Sequence, residues 1–102
     1  MNVPTPEHFF DWALPVVRDL QRRYHLEGWS IALRVVPDDT LRARNAAEVS
    51  LREEYRAATI YLSKSLVLEA DAETLALVLE HELQHVALHP LDALRSLMLD
   101  LV

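Results

Sequence analysis

Residues 71–90 read DAETLALVLEHELQHVALHP, and this stretch decides the fold. Leu75, Leu79, Leu83 and Val86 recur at helical spacing and form one apolar face, while Leu77, Val78 and Leu88 flank the histidines on the other side. Glu69-Ala70-Asp71 supplies the cap, so the pattern predicts a helix from about Ala72 to Leu88. Pro90 should end it, because the residue before a proline avoids the helical region. Only Glu80 and Gln84 mark a clearly wet stripe. A helix apolar nearly all round is expected to be buried.

Inside this helix lies His81-Glu82-Leu83-Gln84-His85. Histidines at i and i+4 stand about 6 Å apart along the axis and about 40° apart around it, so both imidazoles can point at one ion. Neutral imidazole nitrogens bind Zn²⁺ at roughly 2.0–2.1 Å, and a catalytic site adds a third protein ligand while leaving a position for water. A carboxylate at Glu82 is then placed to take the proton of that water, the H-E-x-x-H logic of peptide hydrolysis. On a buried helix these three side chains need a metal or polar partners. The bland alternative is a pair of core or surface histidines.

The third ligand has several candidates after His85: His89, Asp92 and Asp100. A straight helix carries His89 another 6 Å or so beyond His85, too far from an ion centred on the first two histidines. Asp92 follows the Pro90 break, so a turn there could return its carboxylate to the site, and it is the favoured third ligand. It could equally serve as a first-turn acid of a last helix, and His89 could interact with the helix C-terminus. His8 and His25, remote in sequence, read as surface residues.

Upstream, Thr5-Pro6-Glu7 reads as a helix start. Phe9, Ala13, Val16, Leu20 and Tyr24 follow at helical spacing, with a kink or break expected at Pro15 and a C-terminal stop at Gly28. Trp29, Ile31, Leu33 and Val35 alternate with Ser30, Ala32 and Arg34, the pattern of a half-buried strand. Pro37-Asp38-Asp39-Thr40 reads as a turn, and the stretch to Ala46 as an exposed loop. Val49 and Leu51 mark a second strand, and Ala58, Ile60 and Leu62 a third, the two joined as a hairpin near Glu53–Arg56. A short last helix is expected over Leu91–Leu101.

The chain has 102 residues, enough for one domain spanning 1–102 but not for a separate lid or substrate domain. Its formal charge of −6 argues against general nucleic-acid binding, which needs a basic face. No apolar run approaches the roughly 18 residues of a membrane span. Met1-Asn2-Val3-Pro4 lacks the basic and apolar regions of an export signal, so a cytoplasmic protein is expected. With no cysteine, thiolate zinc sites are excluded.

Leu79 to Pro90, reading LEHELQHVALHP, resembles the active-site helix of ImmA/IrrE-type metallopeptidases, which often read H-E-L-x-H-x-x-L-H-P. The order of elements also resembles SprT-like and other minimal zincin domains, with Trp29-Ser30-Ile31 on one strand and Ala58-Thr59-Ile60-Tyr61-Leu62 on another. The resemblance implies an α+β minimal zincin-like fold: an N-terminal helix, a three-stranded, mostly antiparallel sheet, the HExxH helix and a short C-terminal helix. It implies zinc as cofactor, His81 and His85 as ligands and Glu82 as catalytic base. The strand around Ile60 would be the edge that pairs with a peptide or protein substrate. The ImmA/IrrE type takes its third ligand from a later glutamate, and none follows Glu82 here. The expected function is therefore zinc-dependent peptide hydrolysis; the rivals are a catalytically incomplete zinc-binding module and a protein-interaction domain. The apolar run Leu94, Leu97, Met98, Leu101 and Val102 is a possible homo-oligomer face, and neither a nucleic-acid nor a membrane partner is expected.

Overall fold

Segment 57–63 alternates Ala58, Ile60 and Leu62 with Thr59 and Tyr61, and the chain uses that segment as the centre of its sheet. The computed structural model describes the backbone of residues 8–41 and 46–100, and the side chains of 8–41 and 46–88. The expected helix start at Thr5-Pro6-Glu7 and most of the loop before Ala46 lie outside these residues. So do the side chains of the C-terminal apolar run. Within them the order is α1 (Phe9–Arg23), β1 (Ser30–Val36), a 3-10 turn (Asp38–Thr40), β2 (Ala47–Arg52), a 3-10 turn (Glu53–Tyr55), β3 (Ala57–Ser63), α2 (Lys64–Glu69) and α3 (Ala72–Asp100).

The sheet order is β1-β3-β2. β2 and β3 form the expected hairpin, antiparallel with Val49 opposite Ile60, and Arg56 turns it in the left-handed region at φ 47°. β1 pairs with β3 in parallel, Leu33 opposite Ile60, so the sheet is mixed rather than mostly antiparallel. The connection over residues 37–56 is long enough for the crossover that a parallel pair requires. Ile60 therefore sits on the central strand, not on an edge. Ala58, Ile60 and Leu62 of this central strand are buried under the helices.

One core cluster joins the layers. Phe9, Ala13, Val17 and Leu20 of α1 meet Ile60 and Leu62 of β3, Val67 of α2, and Leu75, Leu79, Leu83 and Val86 of α3. The other face of the sheet carries Ala32 and Arg34 of β1 and Ser50 and Arg52 of β2, all exposed. Among the described residues the helices cover one face of the sheet.

Neither Pro15 nor Pro90 breaks its helix. α1 runs unbroken through Pro15, which lies on its exposed side, where water can satisfy the carbonyl that loses its partner. α3 likewise continues through Pro90 to Asp100 as one helix, replacing the expected break and separate Leu91–Leu101 helix. Proline removes one bond of the ladder, and the leucines and alanines on either side are strong helix formers that hold the rest. Gly28 is not the stop residue of α1. His25 takes the left-handed position at φ 57°, with its N–H on the Arg22 carbonyl and that of Leu26 on the Gln21 carbonyl, a Schellman closure. The amide of Gln21 then donates to the carbonyls of Leu26 and Trp29, at 3.0 and 2.9 Å, and so sets the path from α1 into β1.

α2 was not expected. Ser63 ends β3 and caps α2, its Oγ accepting from the N–H of Leu66 at 3.1 Å. Asp71 caps α3 as expected, accepting from the N–H of Thr74 at 2.7 Å. No helix among the described residues is long and apolar enough to cross a membrane.

Candidate metal centre

The rotation of α3 about its own axis decides where the motif points. Tyr24, at the end of α1, donates its hydroxyl hydrogen to Glu80 Oε1 at 2.7 Å and accepts from Gln84 Nε2 at 3.0 Å. Arg23 approaches the same Glu80 oxygen at 3.6 Å. Glu80 and Gln84 therefore do not form the wet stripe read from the sequence. They dock α3 against α1, and with Leu79 and Leu83 fully buried, the histidines turn outward.

His81 and His85 are exposed, as are Leu77 at 62% and Leu88 at 50% on the same stripe. The helix is not apolar and buried all round, so burial does not oblige the two histidines to hold a metal. Their geometry is nevertheless that of a chelate. The two Nε2 atoms lie 3.2 Å apart, with ring planes at 87°. Two nitrogens on a tetrahedral ion, each at 2.0–2.1 Å, are separated by about 3.3 Å, so the spacing of the pair matches two positions of a zinc ion. In the metal-free protein one neutral ring can donate to the other across the same gap.

Glu82 is the buried member of the motif, at 7% exposure. One residue on from His81 is a rotation of about 100°, enough to turn it from the outer stripe toward the sheet. Burial pushes its carboxyl above the ordinary glutamate value; His85 and then His81 pull it partly back, and Glu48 adds to the rise. A cleft of about 350 Å³ opens here between α3 and the start of β2. Its α3 wall is Thr74, Leu77, Val78, His81 and Glu82, and its β2 wall is Ala46 and Ala47. A mostly apolar pocket with a carboxyl and an imidazole at one end can hold an extended chain and move a proton.

Asp92 does not receive the turn that was to bring it back. It stands on the same continuous helix, seven residues or about 10 Å beyond His85, and its side chain lies outside the described residues, as do those of His89 and Asp100. Among the described residues no group of three or more His, Asp or Glu side chains comes together as a metal site. His8 and His25 are exposed near the two ends of α1, as surface residues should be. The sequence reading missed Ala46, Ala47 and Thr74 as cleft residues. The small side chains before β2 were a faint sign of close approach, whereas the contact of Tyr24 with Glu80 has no local signature at all.

No protein-family model matches the chain, no curated protein matches its sequence, and no solved structure matches its fold.

Proposed function

We propose that this chain is a zinc-dependent peptide hydrolase with His81 and His85 as metal ligands and Glu82 as the general base. The observation that carries the reading is the 3.2 Å separation of the two Nε2 atoms, next to a buried carboxyl that lines a cleft with His81. Zinc, when bound, supplies a Lewis acid and a water acidified toward neutrality. The chain's own residues do the rest. His81 and His85 hold the ion, with the remaining positions open to water and substrate. Glu82, whose burial already favours proton uptake, accepts a proton from water and returns it to the leaving amine. β2, as an outer strand of the sheet beside the cleft, offers main-chain groups to an extended peptide, the role first expected of the strand around Ile60.

The test is metal content of protein purified without chelator, followed by cleavage of a mixed peptide library analysed by mass spectrometry. Near-stoichiometric zinc in wild type and Glu82→Gln, lost in His81→Ala, with cleavage by wild type alone, is the expected result. Zinc without cleavage would support instead a zinc-binding module without turnover, which the two-histidine set of the described residues also suits. No zinc in any variant, even after it is supplied, ends both readings.

A further inference from the structure

β2 meets β3 in an antiparallel register in which the N–H of Ser63 donates to the Ala46 carbonyl at 2.8 Å. Main-chain groups in such a ladder alternate between the two sides of a strand, so residues 46, 48 and 50 face β3, whereas Ala47, Val49 and Leu51 direct their N–H and C=O groups to the outer edge. The side chains of these same three residues lie on the helix side of the sheet, packed against the core. An antiparallel strand added at this edge exchanges both hydrogen bonds with Ala47, and the residue that does so also places its side chain on the helix side, because directly opposed residues share a face. That side is the cleft. We propose that the cleft is a selective subsite: it takes one large apolar side chain, of leucine or phenylalanine type, from a peptide paired with β2, and Leu77 sets the preference. This rests on the reading that the cleft receives an extended peptide beside Glu82, and it names the substrate class.

The residues that line the cleft make the choice. Ala46 and Ala47 keep the β2 wall short, which leaves the width of the cleft to the incoming side chain. Across it stand Thr74, Leu77 and Val78, which the helical repeat places on one side of α3. Leu77 is 62% exposed in the free chain, and an apolar side chain seated against it removes that surface from water. A carboxylate in the same place would be stripped of water against apolar walls and would meet Glu82 at the end of the cleft. Leu77 precedes His81 by four residues, about 6 Å along the helix, and an extended chain covers that distance in about two residues. The selected side chain thus sits within about two residues of the bond presented to Glu82.

Fluorescence anisotropy on the full chain carrying Glu82→Gln, which keeps the peptide intact, tests the subsite. The probes are fluorescein-labelled peptides of alanine and threonine, identical except for one central residue: leucine, phenylalanine, glutamate or lysine. The leucine and phenylalanine peptides are expected to bind at least about tenfold more tightly than the glutamate peptide. Adding Leu77→Glu, at an exposed helix position that tolerates a charge, should reverse the order in favour of lysine by about the same factor. Methylating the main-chain nitrogen of the central leucine should weaken binding by about tenfold, since it removes a hydrogen bond to Ala47. Equal binding of all four peptides, or a preference that Leu77→Glu leaves unmoved, overturns the subsite. Binding insensitive to the N-methyl group overturns the pairing with β2, and absence of binding by every peptide overturns the proposal altogether. The hydrolase reading is decided separately, by zinc content and cleavage. Wild type that holds zinc and cuts a mixed library with no apolar preference near the cut keeps that reading and loses the subsite. Selective binding by a chain that takes up no zinc keeps the subsite and ends the hydrolase reading.

Discussion

Glu82 is buried where its two histidine neighbours are not, and its protonation is therefore coupled to folding. A carboxyl held above its ordinary value binds its proton more tightly in the folded than in the unfolded chain. That contribution is complete below the unfolded pKa and is lost as pH rises through the folded one. In chelator, Glu82→Gln should consequently melt at a higher temperature than wild type at about pH 7, with the gap closing below about pH 4. A variant no more stable at neutral pH would contradict the assignment. His25 offers a second residue-scale test. A side chain at φ 57° carries a steric penalty that glycine lacks, so His25→Gly should raise stability by about 0.5 kcal/mol in urea unfolding, in spite of the added freedom of the unfolded chain.

At the scale of elements, one phenol makes the side-chain hydrogen bonds that join the end of α1 to α3. Tyr24→Phe keeps the ring and removes the hydroxyl that serves both Glu80 and Gln84, and should cost about 1–2 kcal/mol by chemical denaturation. Pro90→Ala restores a missing helix bond and should stabilise α3 by up to about 3 kcal/mol with little change in helicity, because α3 is already continuous through Pro90. If Pro90 ended the helix, the substitution would instead add helicity. The same elements divide what the sequence reveals from what it hides. Leu75, Leu79, Leu83 and Val86 announced their face because a helix repeats every 3.6 residues, and Asp71 announced the start because its oxygen reaches a nearby N–H. Pairing of Leu33 with Ile60 was not legible, because parallel and antiparallel partners need the same alternation. Pro15 and Pro90 misled because a proline's cost is local while tolerance is set by what surrounds it. In the motif, spacing revealed that His81 and His85 share a side; that this side faces outward depends on Tyr24, far away in sequence.

For the whole molecule, a single core cluster joining all three helices to the sheet predicts a single unfolding event. Fluorescence of Trp12 on α1 and Trp29 before β1 should be lost together with far-UV circular dichroism on heating. Two separated transitions would mean that α1 and the sheet are independent units. Leu79, fully buried between the layers, should show the cost of a central cavity: Leu79→Ala is expected to lower stability by about 2–5 kcal/mol while retaining one transition.

The contact of Tyr24 with Glu80 and Gln84 has one more consequence, for the way this chain can evolve. It acts as a phase lock: what lies downstream on α3 points where it does because two side chains one turn apart are held against α1. A residue inserted between Glu80 and His81 would advance everything beyond it by about 100°. It would also part Gln84 from Tyr24, turn the histidines off their outer stripe, and move Glu82 out of the cleft. Substitutions can adjust this site gradually, whereas a change in length within that turn would remove ligand and base together. The interval from Glu80 to His85 should therefore not tolerate a change of spacing.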